Sequence, residues 1–183
     1  MVEYLMRNLY YTATTAFILP FLFFALAREA PGETYLVTEV TDGDSVSIKV
    51  KSFAGVPLKI ERVRLIGIDA PELKQEPWGR RAKRHLKKLI SESGWVVSVE
   101  FDVEQRDQHG RLLCYLWGRD GGMINEKMLG DGYAVLFTVP PNVKHAGQFA
   151  EAQKSARSKM LGIWSEGGLR ESPRQWRETH PRE

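Results

Sequence analysis

The sequence predicts a protein of mainly β structure with some α, an α+β fold in which strands form one barrel and three helices pack against it. Three observations lead to this class. Apolar and polar residues alternate strictly at 45–51, which is typical of a half-buried strand. The turns between the first three predicted strands are too short for crossover helices, so these strands are expected to pair with their neighbours. A stripe of apolar residues at helical spacing at 78–90 indicates an amphipathic helix.

Five strands are predicted, three before this helix and two after it, at 35–40, 45–51, 57–68, 95–101 and 112–117. The second strand has the clearest pattern, because Val46, Ile48 and Val50 fall on one face and serine or lysine on the other. The Thr-Asp-Gly-Asp turn at 41–44 joins it to the first strand.

Three helices are predicted, and the first has the strongest signal. Its apolar residues fall in one line, followed by Gly94 as the stop: Trp78, Ala82, Leu86, Leu89 and Ile90. A short helix is expected at 122–129. A longer one is expected at 146–161, with Phe149, Ala152, Ala156 and Met160 in line.

This order of strands and helices fits a small closed barrel of the OB type better than a parallel α/β sheet. We expect one such domain at 35–164, preceded by a hydrophobic segment at 1–27. The remaining residues, 165–183, are rich in Arg, Glu and Pro and are expected to form a loosely held surface tail.

The composition is that of a globular protein, with 27% charged and 43% hydrophobic residues. A formal net charge of +3 permits an anionic partner without demanding one. The single cysteine, Cys114, excludes an intrachain disulfide and is expected to be a buried thiol, since it lies in an apolar run. The four histidines lack the paired spacing of a zinc site.

The N-terminal segment indicates export. Residues 8–27 carry no charge, and they end in Ala25-Leu26-Ala27, a small-x-small cleavage site for a signal peptidase. Counted from Leu9, the same stretch is just long enough to span a bilayer as an uncleaved anchor. We therefore expect either a secreted or periplasmic protein cleaved near Ala27, or one attached to the membrane through residues 8–27.

Asp42-Gly43-Asp44-Ser45 is the first group of residues that could support chemistry. Two carboxylates two residues apart on a turn supply the hard oxygen ligands that divalent cations prefer. Aspartate and glycine are also the commonest residues of ordinary hairpin turns, so this motif alone favours a plain turn.

The second group follows at 63–72, with Arg64 in a strand, Asp69 at its end and Glu72 after Pro71. Residues five apart on a straight strand face opposite sides, so the strand must bend or end near Gly67 if Arg64 and Asp69 serve one site. The alternative is a strand that closes with acidic loop residues.

The third group, at 105–111, places Arg106, Asp107 and Arg111 around a glycine turn between the last two strands, where a polar hairpin loop is the plain alternative. Together the three groups suit attack on a phosphodiester. This reaction needs a cation on the phosphate oxygens, guanidinium groups for the growing negative charge and a carboxylate that activates water. The residues with these properties are Asp44, Asp69, Glu72, Arg64 and Arg111.

In the order and spacing of these motifs, the chain resembles the staphylococcal (micrococcal) nuclease family over about residues 35–164. The shared motifs are D-G-D-S at 42–45, R-L-I-G-I-D-A-P-E at 64–72, F-D-V-E-Q-R at 101–106, D-x-x-G-R at 107–111, and the closing A-Q-K and L-G-I-W.

The resemblance implies Ca²⁺ bound by Asp44, Asp69 and the carbonyl of Ala70. It implies that Glu72 is a general base or positions the attacking water. It also implies that Arg64 and Arg111 hold the phosphate, with Arg111 near the leaving oxygen. The implied substrates are DNA and RNA, cut to leave 3′-phosphate ends. We expect a monomer without a small-molecule cofactor.

Three departures from the family pattern concern substrate contacts rather than the catalytic set. Ser45 replaces a threonine of the type member and keeps the hydroxyl. The loop at 73–78 is shorter, and the stretch 135–142 lacks two tyrosines that contact the nucleotide there, so we expect altered base stacking.

A nuclease and a non-catalytic binding module are the two function classes that the sequence suggests. A barrel of this type can bind nucleic acid or a protein after losing its acids, but a degenerate copy is expected to lack Arg64, Glu72 or Arg111, and all are present. The six cations of 80–88 could steer a polyanion to the site or form a solvated helix face.

Overall fold

The structure, a computed structural model, describes residues 32–50 and 59–181. Seven strands lie in these ranges: β1 Glu33–Val40, β2 Ser45–Val50, β3 Lys59–Leu65, β4 Gly67–Asp69, β5 Val96–Arg106, β6 Leu112–Trp117 and β7 Val135–Phe137. Four α-helices accompany them: α1 Trp78–Glu92, α2 Ile124–Gly130, α3 Ala146–Ser158 and α4 Pro173–Thr179.

Five strands close into a barrel in the order β1-β2-β3-β6-β5, which confirms the predicted fold class. Strand β1 closes the barrel by pairing antiparallel with β5. Strands β3 and β6 pair in parallel, with Val63 opposite Leu112, because the chain leaves β3 and returns through α1 and β5 before it reaches β6. The inward side chains of these strands form the core, and Cys114 of β6 is fully buried there, as predicted.

The predicted third strand is interrupted at Ile66, directly before Gly67. Strand β3 ends at Leu65, and β4 leaves the barrel to pair with β7, Gly67 opposite Phe137. Gly67 has φ +80°, and a Cβ there would lie 2.4 Å from the Phe149 ring, so only glycine fits this bend. The expected bend is confirmed, and it changes the direction in which Asp69 points relative to Arg64.

Helix α1 has the predicted register, since all five residues of its apolar stripe are buried and Gly94 follows its end. The predicted bounds of α3 are partly wrong. The helix ends at Ser158, and Met160 has a positive φ and is 57% exposed rather than in line with Phe149.

The C-terminal tail differs from the expected loosely held segment. After a 3₁₀ turn at Gly162–Trp164, helix α4 begins with a capping box in which Gln175 N donates to Ser172 Oγ and Ser172 N donates to Gln175 Oε1. Pro173 occupies the first helical position, where its missing N–H is not needed. The tail is therefore a folded element with a defined position.

The predicted signal peptide or anchor at 1–27 and the first two residues of the predicted third strand lie outside the described residues. Of the helices within 32–50 and 59–181, none has both the length and the apolar composition to cross a membrane.

Candidate active site

Asp44 lies at the end of the turn between β1 and β2 and points towards the segment after β4. Its Oδ2 accepts a hydrogen bond from Ala70 N at 2.8 Å, and its Oδ1 accepts one from Ser45 Oγ at 3.0 Å. Its backbone carbonyl accepts from Leu65 N at 2.9 Å, which joins the turn to the end of β3. These bonds hold the carboxylate against the loop that carries Asp69.

Gly43 makes this approach possible. A Cβ on Gly43 would lie 2.6 Å from Ala70 Cβ and 2.8 Å from Ala82 Cβ. The turn therefore packs directly against both the loop after β4 and helix α1, and the glycine of the Asp-Gly-Asp motif serves close packing here.

Arg64 joins the first two motifs. Its Nη1 lies 2.9 Å from Asp44 Oδ2, and its Nη2 lies 3.1 Å from Asp69 Oδ1. The guanidinium and both carboxylates are largely buried, so this is a three-residue ion cluster rather than a surface pair. The bend at Gly67 lets Arg64 and Asp69, five residues apart, meet.

Burial raises the pKa of Asp44 to about 6, and the nearby Arg64 guanidinium acts in the opposite direction. The ionised form of this carboxylate therefore depends on positive charge beside it.

Glu72 lies on the loop between β4 and α1, with its backbone held from two sides. Glu72 N donates to Gln75 Oε1 at 2.9 Å, and a Cβ on Gly79 would lie 2.0 Å from the Glu72 carbonyl oxygen. Its side chain remains 26% exposed. Glu72 is thus the carboxylate of the cluster with the most contact with solvent water, compared with Asp44 and Asp69.

Arg177 of α4 also contacts this cluster, although no sequence motif predicted it. Its Nη1 and Nη2 donate to the two oxygens of Asp69 at 3.0 and 2.8 Å, and Nη1 also donates to Glu72 Oε1 at 2.9 Å. The hydrogen bonds to Asp69, and then those to Glu72, raise the pKa of Arg177. The Ser-Pro-x-Gln signature could have revealed the helix, but no local pattern indicates what Arg177 contacts.

Arg111 lies in the turn between β5 and β6, where its Nε is 2.7 Å from Asp107 Oδ2. The parallel register sets Leu113 opposite Arg64, so Arg111 is just before the strand that borders β3. Among the described residues, the Arg111 side chain forms its ion pair and its hydrogen bond with Asp107. The structure therefore brings Asp44, Arg64, Asp69 and Glu72 together, and it places Arg111 in the turn just before the neighbouring strand β6, paired with Asp107.

The predicted ligands for a divalent cation are oxygens of Asp44, Asp69 and Ala70. Within residues 32–50 and 59–181, no three His, Cys, Asp or Glu side chains are grouped as metal ligands. The predicted ligand set contains only two carboxylates, those of Asp44 and Asp69. Each has an oxygen within 3.1 Å of a guanidinium nitrogen of Arg64. Oxygen-only donors suit Ca²⁺ better than zinc or copper, so the residues present fit the expected ion.

A basic groove of about 530 Å³ runs along helix α1. Trp78, Arg81, Arg84, His85 and Lys88 line it together with Tyr133. The helix starts beside the site, because Gly79 touches the Glu72 backbone. Three of the six cations of 80–88 thus share one concave surface, on a different face of α1 from Gly79, which packs against the Glu72 backbone.

Comparison with known families finds that residues 62–166 match the family described as Staphylococcal nuclease homologue. The thermonuclease of Staphylococcus intermedius is 38% identical over 143 residues, which cover 75% of this chain and 80% of that protein. The thermonuclease of Staphylococcus hyicus is 32% identical over 139 residues, covering 73% and 76%. Endonuclease YncB of Bacillus subtilis is 34% identical over 134 residues, covering 69% of this chain and 59% of its own length.

Proposed function

This chain belongs to the staphylococcal nuclease family and is a nuclease, and from that premise we propose that it is calcium-dependent and hydrolyses phosphodiester bonds of both DNA and RNA. The observation that carries the proposal is the single guanidinium of Arg64, which binds Asp44 and Asp69 at once. This contact gathers residues of two separate motifs into one charged cluster beside Glu72.

We assign Glu72 the role of general base. The reaction needs a carboxylate that takes a proton from the attacking water, and Glu72 is the partly exposed acid of the cluster. Its backbone N–H donates to Gln75, and its carboxylate accepts a hydrogen bond from Arg177, so the acid is positioned in the cluster before substrate binds.

Arg64 and Arg111 are assigned to the phosphate. Attack of water on phosphorus adds negative charge to the phosphorane, and planar guanidinium groups can donate two hydrogen bonds each to its oxygens. Asp107 orients Arg111, and Asp69 orients Arg64. A Ca²⁺ ion bound by Asp44, Asp69 and the Ala70 carbonyl would supply further positive charge to the non-bridging oxygens.

The alternative is a non-catalytic OB-fold module that binds nucleic acid or a protein. The experiment that separates the two is digestion of plasmid DNA, single-stranded DNA and RNA by the full chain in a series of divalent ions. Cutting in Ca²⁺ that stops on chelation is the expected result, because two carboxylates and a carbonyl need the ion's charge to hold a phosphate. No cutting in any divalent ion would favour the binding module.

We place the path of the nucleic acid along the α1 groove, where three cations line one concave surface. Changing Arg81 and Arg84 together to glutamine is expected to weaken binding of single-stranded DNA and to flatten its salt dependence. Each lost phosphate contact should reduce the slope of log K against log salt by about 0.7. Fluorescence anisotropy in chelator measures this without cutting.

The matched control replaces two exposed lysines by glutamine: Lys154 in α3 and Lys159, which directly follows that helix. This control is expected to bind as the wild type does. Equal affinity and equal salt slope in the groove variant and the control would show that the α1 cations form only a solvated face.

We also propose that the protein is exported, because its uncharged segment at 8–27 ends in a small-x-small site. N-terminal sequencing of protein recovered outside the cytoplasm distinguishes cleavage near Ala27 from a retained anchor. Recovery of all the active protein from the cytoplasm would contradict export.

A further inference from the structure

Helix α4 places the guanidinium group of Arg177 against the carboxylates of Asp69 and Glu72. Asp69 is almost completely buried, and both of its oxygens accept hydrogen bonds from Arg177, while Arg64 also binds Oδ1. The same Arg177 Nη1 bonds to Glu72 Oε1. One side chain from the tail therefore connects an assigned metal ligand with the assigned general base.

These contacts use the oxygens that a divalent cation needs. A cation coordinated by Asp69 must approach its carboxylate oxygens to about 2.3–2.6 Å, the usual range for calcium. Arg177 nitrogens already lie at 2.8 and 3.0 Å from those oxygens. Two cationic groups cannot occupy the same side of one buried carboxylate, because both their volumes and their charges conflict.

Further contacts hold the tail in place. Gln75 Nε2 donates to the Glu171 carbonyl at 3.2 Å, Pro173 is buried, and a capping box closes the start of α4. The helix has seven residues, and helices this short depend on tertiary contacts for their stability. The Arg177 side chain is 37% exposed, so it can leave the site without opening the barrel core.

We propose that the C-terminal segment, through Arg177, competes with the divalent cation for Asp69 and Glu72. The inference rests on the proposed calcium-dependent function. Arg177 then sets the cation concentration at which the site fills, and by reciprocal coupling the bound cation releases α4. The family match ends at residue 166, so this arginine lies outside the matched region.

Calcium binding to the full chain tests the competition directly. Isothermal titration with CaCl₂ is expected to give a Kd about tenfold lower for Arg177→Gln than for the wild type, within the usual range of coupling between two ligands. Arg177→Lys, which keeps the charge but loses the two-nitrogen contact with Asp69, should lie between them. The matched control is Arg174→Gln, since Arg174 is exposed on the same helix and pairs with Glu178.

A second measurement follows the tail itself. Hydrogen exchange of the α4 amides is expected to become faster when CaCl₂ is added to the wild type, because the cation displaces Arg177. A Kd for Arg177→Gln equal to that of the wild type, or α4 amides equally protected at saturating CaCl₂, would overturn the proposal.

The nuclease assay separates failure of this inference from failure of the proposed function. Calcium-dependent cutting by the wild type, together with an unchanged Kd in Arg177→Gln, overturns the competition and leaves the function standing. Absence of both calcium binding and cutting in every variant overturns the proposed calcium-dependent function, and the competition with it.

Discussion

Replacement of Glu72 by glutamine is expected to lower the turnover number for DNA by about 10²–10⁴-fold, the usual contribution of a general base. Glutamine has nearly the same shape but cannot take a proton from water at neutral pH. Its amide can still accept a hydrogen bond from Arg177, and the backbone bond from Glu72 N to Gln75 does not involve the side chain that changes. The fold around the site should therefore persist.

Single-turnover cleavage at saturating enzyme gives the chemical rate, and anisotropy in chelator gives the affinity for DNA. Affinity is expected to stay close to the wild-type value, because Glu72 is assigned no contact with the phosphate. The control is Glu76→Gln, an exposed glutamate of the same loop that pairs with Arg80. Turnover within a few-fold of the wild type in Glu72→Gln would remove Glu72 from the mechanism.

Replacement of Asp44 by asparagine is expected to raise the Ca²⁺ concentration for half-maximal cutting by at least about tenfold. The change removes one of two ligand carboxylates and half of the acidic charge that Arg64 contacts. Even in the wild type, a site with two carboxylates and one carbonyl should bind calcium weakly, on the order of 10⁻⁴–10⁻³ M.

Activity measured across a calcium series provides the half-maximal concentration. Glu39→Gln is the matched control, because Glu39 is an exposed acid of β1, one residue before the end of that strand. An unchanged calcium requirement would place the ion elsewhere.

The local parts of this fold could be predicted from short stretches of sequence. The structure buries Val46, Ile48 and the apolar stripe from Trp78 to Ile90, as predicted. The predicted half-buried character of β2 is only partly confirmed, because Ser45 and Ser47 on its other face are buried as well. Gly67 is a similar case, because Arg64 and Asp69 can meet only if the strand bends between them. In each case the residues that predict the buried face or the bend lie within a few positions of it. Hydrophobic periodicity and the conformational freedom of glycine are therefore enough to predict it.

The fold class, the buried apolar residues of β2 and α1, the family and the four acidic and basic residues that meet in the structure could all be predicted from the sequence alone. The parallel pairing of β3 with β6, the pairing of β4 with β7, and the contact of Arg177 with Asp69, residues 108 positions apart, became visible only in the folded chain. Such contacts depend on how finished elements dock. The way elements dock depends on the apolar burial and the charge of several segments together. A pattern within one short segment of sequence does not contain that information.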